Sequence, residues 1–340
     1  MIKGTLIPLG ILLTIVLTGS VRGDDFFKGK TIDFVVAYSA GGSFDAYARL
    51  IARHIGKHIP GAPNTLVRNM TGAAGMLAAN DLYHRAEPDG LTIGAFASPL
   101  ILQHAMGNQA AQFDGRKFEW LGVPVPNHTV CSLRVDTGIK TVDDWYGYKQ
   151  PVKIAAIGPG TSTSDVPKMI QVATGLPIDV IDGYRGGANA RLAVESGEVN
   201  GYCGGWGTVR SIWRSALKEG KIRVVLQGTL KPHPELKDVP LALDHAKSEE
   251  GRRLLTVIDN SHRPQFPFSL SPGVPKDRVS ILQKAFMDTL RDPAAVAEAD
   301  KLKLEIEPID ADETKELITS PYELPNNMIA KLKAILVPKR

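Results

Sequence analysis

Four short segments combine glycine with hydroxyl or small residues where a chain can leave a strand and enter a helix. They are Ser39-Ala40-Gly41-Gly42-Ser43, Thr71-Gly72-Ala73-Ala74-Gly75, Gly158-Pro159-Gly160-Thr161-Ser162-Thr163-Ser164 and Tyr184-Arg185-Gly186-Gly187. The chemistry such turns offer is anion binding. Glycine lets the backbone approach a ligand closely, and the first turn of a helix presents N–H groups without intrahelical partners at the positive end of its dipole. Ser43 and one hydroxyl among residues 161–164 have a second reading as plain helix N-caps.

None of the four turns is a nucleotide motif. "GPGTSTSD" lacks the lysine of a P-loop, and "GGSFDA" lacks the three-glycine dinucleotide spacing. The anion expected is therefore a carboxylate or another small group. Catalytic patterns are weaker. The chain has no Gly-x-Ser-x-Gly elbow, and no paired carboxylates fall in a turn. His54 and His58 are spaced to share a helix face, but Arg53 and Lys57 flank them, and a solvated face is the expectation rather than a metal pair. A hydrolase using Ser162 or Ser164 remains an alternative, with His128 or His262 brought close by folding as its base.

The elements that must position these turns alternate. "TIDFVVAY" reads as a strand before a helix at 44–59, where Phe44, Tyr47, Ala48, Ile51, Ile55 and Ile59 share one face. "NTLVRN" leads to a helix at about 76–85, and "LTIGAFA" to Ser98-Pro99. A second set begins at "TVCSLRV" (129–135). "VKIAAIG", "PIDVIDGY" and "VNGYCGGW" then each run into a helix, with "KIRVVLQG" after them. The tail from Pro275 on reads as helices. Strand-turn-helix units in two similar halves imply α/β lobes, each a mostly parallel sheet flanked by helices, and ligands of such sheets sit beyond the carboxyl ends of the strands. Asp45 falls in a first helical turn, where an acid favours the dipole. Trp206 and Trp213 read as packing residues, although Trp206 follows a strand end and can wall a pocket.

Size and compartment agree with two lobes. The chain has 340 residues, and its start, with Lys3, an apolar run from Ile7 to Thr18, and Val21 and Gly23 at the cleavage places, reads as a signal peptide over residues 1–23. Its loss leaves 317 residues and lowers the formal charge from +4 to +2, because Lys3 and Arg22 leave and no acid does. That length exceeds one core. No basic run interleaved with aromatics suggests nucleic acid, and two cysteines, Cys131 and Cys203, are too few for a disulfide-built scaffold. A periplasmic, monomeric protein without a cofactor is expected.

With these residues assembled, the chain resembles the solute-binding receptors of tripartite tricarboxylate transporters, the Bug or TctC-like family. The likeness rests on "VVAYSAGGSFDAYARLIA" (35–52), "VRNMTGAAGMLAANDLYHRAEPDGLTIG" (67–94), "GTSTSD" (160–165) and "GYRGGANARLAVESGEVNGYCGGW" (183–206). It implies a two-lobed type II periplasmic binding protein, with lobe 1 from 24–126 and 229–340, lobe 2 from 127–228, and crossings near 124–128 and 227–231. It implies a carboxylate gripped by Ser39, Ala40, Gly41, Gly42 and Ser43, met across the cleft by Thr161, Ser162, Thr163, Ser164, Tyr184 and Gly187, with Ser98 and Trp206 lining the space. Delivery to membrane permease subunits follows from the same likeness, with a ligand-presenting sensor as an alternative. Many relatives carry an aspartate after the strand matching "VNGYC"; here Gly204 and Gly205 stand there, which disfavours an amino-acid ligand. The type II arrangement also sets "TVCSLRV" antiparallel to "VNGYCGGW", so a Cys131–Cys203 disulfide is expected.

Overall fold

A computed structural model describes residues 26–337; the expected signal peptide lies outside the described residues. The chain forms strands β1 (Thr31–Val36), β2 (Asn64–Asn69), β3 (Thr92–Ala95), β4 (Glu119–Gly122), β5 (Thr129–Arg134), β6 (Val152–Ala156), β7 (Ile178–Asp182), β8 (Gly201–Gly205), β9 (Ile222–Gln227) and β10 (Phe268–Leu270). Two five-stranded sheets result, ordered β2-β1-β3-β10-β4 and β7-β6-β8-β5-β9.

The two sheets share one plan. In each, the second strand in this order pairs in parallel with both neighbours: β1 with β2 and β3, β6 with β7 and β8. In each, one strand runs antiparallel between two others, and it is the strand that has just crossed from the opposite lobe: β10 in the first sheet, β5 in the second. Helices cover both faces of both sheets, because strands such as "TIDFVV" and "VKIAA" are apolar on both sides. The two-lobed α/β architecture expected from the sequence is what forms.

Side-chain packing divides the chain differently from the expected boundary at 229. The second-lobe core around Ile154, Met169 and Ile170 takes in Leu254, Leu255 and Ile258 from the helix Glu249–His262, and Leu332 and Leu336 from the helix Asn326–Leu336. The chain therefore crosses back after His262, where the Asn127 N–H donates to the Arg263 carbonyl at 2.7 Å and sets the two crossings side by side. The cause is the apolar stripe on Glu249–His262. It packs against the helix Ser162–Thr174 and brings its polar end to the crossover.

The helix after β1 runs from Ser43 to Ile55 and tightens into a 3₁₀ turn at Gly56–His58, short of the expected unbroken run to 59. His54 and His58 do not form a solvated face. They meet Glu298 and Asp292 at 2.7 and 3.1 Å and dock the helix Pro293–Leu302. No group of three His, Cys, Asp or Glu side chains among the described residues is placed to hold a metal. No described helix is long and apolar enough to cross a membrane.

Candidate functional site

The first turn leaves β1 through Ala37 and Tyr38. Gly41 takes φ +82°, a left-handed conformation that favours glycine. Its N–H does not point outward as expected, but donates to Asp45 Oδ2 at 2.9 Å, so Asp45 fastens the turn from inside. Asn69 Nδ2 reaches Asp45 Oδ1 at 3.0 Å and the Tyr38 carbonyl at 2.8 Å. Arg49 donates to Asp45 Oδ2 at 2.9 Å, and this bond leads the effects that hold the carboxyl down at about 2. Gly42 is the N-cap of Ser43–Ile55 and has φ −83°; no side chain caps the helix. Ser43 is thus not a cap. The backbone N–H groups at this helix end are left to solvent or to a ligand, and residues 39–43 are all exposed.

The second turn repeats the device. Gly160 takes φ +84°, and its N–H donates to Asp165 Oδ1 at 3.0 Å. Thr161 holds the N-cap place of Ser162–Thr174, yet its hydroxyl caps nothing; it turns back to the Gly158 carbonyl at 2.6 Å and to Thr163 Oγ1 at 2.8 Å. Thr163 Oγ1 also accepts the Ile157 N–H at 3.0 Å, and Ser164 Oγ accepts from Lys168 at 2.7 Å. Three hydroxyls expected to face a ligand are therefore spent inside the turn. What remains here is the uncapped helix end at Ser162 and Thr163.

Asp165 has a partner that no local pattern shows. Its Oδ2 lies 3.2 Å from His262 Nε2, and both side chains are buried. Neither Ser162 nor Ser164 bonds to a histidine among the described residues, and Ser164 is fully buried, which leaves the hydrolase alternative without its base. Ser98, expected to line the cleft, is buried and donates to the Ser261 carbonyl at 2.7 Å, tying the first lobe to the helix Glu249–His262.

The Tyr184 turn leads into the helix Gly187–Ser196, again with no side-chain cap. The Tyr184 hydroxyl is bound to Glu198 at 2.6 Å, and burial leads the effects that push it up to about 12. Gly187 packs near Thr208 and Tyr202. Beyond β8, a Cβ at Gly204 would lie 2.3 Å from the Tyr202 ring, so this strand end carries no side chain. Trp206 is buried and donates from Nε1 to Glu235 at 2.7 Å. Arg210, one turn on, pairs with Glu235 and with Glu305 of the first lobe, whose carbonyl accepts from Tyr47 at 2.9 Å. On the other side, Gln103 of the first lobe stands against Gly160. A groove of about 590 Å³ opens there among Gln103, Gly160 and Lys333; no residue of the first turn lines it.

Beneath the second turn, Cys131 and Cys203 face each other in register between β5 and β8 and are joined by a disulfide, with Cα atoms 4.0 Å apart. It braces the strands that lead to the crossover and to Trp206.

Two lobes of one plan, each with a glycine turn at the carboxyl end of a parallel strand, suit a receptor. The model of the tripartite tricarboxylate transporter family receptor, TctC, matches residues 48–333. The chain belongs to this family. A TctC solute-binding protein from Polaromonas shares the fold with a TM-score of 0.69 at 18% identity, covering 89% of this chain and 98% of that one. MatC from Rhodopseudomonas palustris, with bound malate, has a TM-score of 0.61 at 19% identity over 90% of this chain and 99% of its own. A UPF0065 protein of Cupriavidus necator is 27% identical over 229 residues, 64% of each chain. The match to that curated relative thus spans less than two thirds of its length. Family members are periplasmic binding proteins, and the fold here is theirs.

Proposed function

We propose that the protein is an exported receptor that holds a small organic carboxylate between its lobes and delivers it to the membrane permease subunits of a tripartite transporter. The observation that carries this reading is the pair of uncapped helix ends at Gly42-Ser43 and Ser162-Thr163, each behind a glycine fastened by its own aspartate. A carboxylate is the group that several convergent N–H donors and two helix dipoles favour. Ser39, Ala40, Gly42 and Ser43 make the first half of the site; Ser162, Thr163, Tyr184 and Gly187 make the second, with Trp206 as a wall.

Ligand would enter by engaging one lobe and be enclosed by hinge closure about 123–128 and 263–267, with Arg210–Glu305 and Gln103–Gly160 meeting across the two sides. Residues 1–23 would direct export and be removed. The protein would act as a monomer without a cofactor and without catalysis. Malate and adipate in related structures support a carboxylate ligand. A melting screen against a carboxylate panel tests the reading. A bound acid at 100 times its dissociation constant adds about 2.7 kcal/mol, and no shift with any acid would count against it.

A further inference from the structure

Three aromatic side chains gather beside the first glycine turn. Tyr38 stands two residues beyond β1, Phe44 lies in the first turn of the helix that follows, and Phe266 lies just before β10. Because β10 runs antiparallel, its start falls at the same sheet edge as the end of β3. The three rings therefore gather at the edge where ligands of parallel sheets bind. The Phe44 centroid is 4.3 Å from Tyr38 and 4.7 Å from Phe266.

None of the three rings is fully buried. The Tyr38 hydroxyl is engaged by the Ala97 N–H and the Ala74 carbonyl, each at 3.3 Å, so the ring offers a fixed face rather than a free polar tip.

The carboxylates nearby are already paired. Asp45 is held by Arg49, and Glu235 and Glu305 are held by Arg210. On the second lobe, the end of β8 is bare backbone at Gly204 and Gly205. An ammonium group on the ligand body would find these carboxylates taken by arginines, whereas a flat ring gains offset or edge contacts with Phe44.

Resting on the carboxylate reading above, we propose that the ligand is an aromatic carboxylate. Its carboxylate meets the N–H groups at Gly42 and Ser43, and its ring lies on Phe44 with Tyr38 and Phe266 behind. Phe44 is then the specificity-determining residue.

The test titrates purified protein calorimetrically with benzoate, cyclohexanecarboxylate, adipate and malate. Benzoate is expected to bind about 10-fold more tightly than its saturated counterpart, the scale of one aromatic pair. Phe44→Leu should remove most of that preference, read as the ratio of benzoate to cyclohexanecarboxylate affinity. Adipate or malate binding with benzoate silent overturns the aromatic ligand but leaves the carboxylate receptor standing. No binding by any acid overturns both. An unchanged ratio in a folded Phe44→Leu protein overturns the role of Phe44.

Discussion

The two glycine turns use one fastener with different anchorage. At the first, Gly41 donates to Asp45, and the acid's cation, Arg49, sits one turn along the same helix, about two-fifths exposed. At the second, Gly160 donates to Asp165, whose partner His262 comes from 97 residues away at the crossover and is buried. The first turn is anchored within its own lobe, by Arg49 and by Asn69 of β2, and is open; the second is tied to the crossover and shares its lobe with the disulfide. A site shared between such halves can be rigid on one side and exchange with solvent on the other. Ligand would then meet the open turn first, and closure would bring the braced one to it.

The largest effect expected from this contrast is at the disulfide. Closing a loop between cysteines 72 residues apart stabilises by about 4 kcal/mol in the chain-entropy description. The Cys131→Ala, Cys203→Ala variant should lose about that much in urea unfolding. Two reactive thiols per chain in unfolded, unreduced wild-type protein would show that no bridge forms.

The aspartates come next. Asp165→Ala strands the Gly160 N–H and His262 in a buried place, at a cost of about 3 kcal/mol. Asp45→Ala frees Arg49 to water and should cost only about 1 kcal/mol. Equal losses for the two variants would erase the distinction between the turns.

Smaller still is the glycine pair. Gly41→Ala meets open space and bears only the left-handed strain, about 1 kcal/mol. Gly160→Ala adds a Cβ 2.3 Å from Gln103 Nε2, which must move, so about 2 kcal/mol is expected. A Gly41→Ala cost above that of Gly160→Ala would reverse the ranking of open and braced turns.

The last contrast is read in acid. Asp45 has its folded pKa lowered to about 2 from the ordinary 3.8, so the unfolded chain binds its proton first. Its contribution is complete above about pH 4 and disappears as pH falls through 2. Asp45→Ala should flatten that part of the acid-unfolding curve; an unchanged slope would mean that Arg49 does not stabilise the ionised form.

Much of this was legible in the sequence where the cause is local. Gly41, Gly42 and Asp45 sit within five residues, and the strand–turn–helix alternation marks both lobes. The partner of Asp165 was not legible, because the helix Glu249–His262 opens with "EEGRR", charged and glycine-bearing, and hides its apolar stripe. Ser248 before Glu249 is the signal that could have found it, since its hydroxyl accepts the Gly251 N–H at 3.1 Å as an N-cap. The fates of Thr161, Thr163, Ser164 and Ser98 were equally hidden. A hydroxyl's type shows that it can donate, and only the fold shows which acceptor already holds it. The Gly41 N–H is the same case on the backbone.

The most direct test places a fixed carboxylate where the ligand's should lie. Gly42 has φ −83°, and a Cβ there meets only the Ser39 carbonyl at 3.6 Å, so Gly42→Asp should fold normally. Wild-type and Gly42→Asp protein are titrated calorimetrically with the acid that raises the melting temperature most, folding being checked by circular dichroism. The account predicts binding by the wild type and a loss of at least about 100-fold in the variant, through like-charge repulsion and occupied donors. A folded Gly42→Asp protein that binds the acid as tightly as wild type would contradict it.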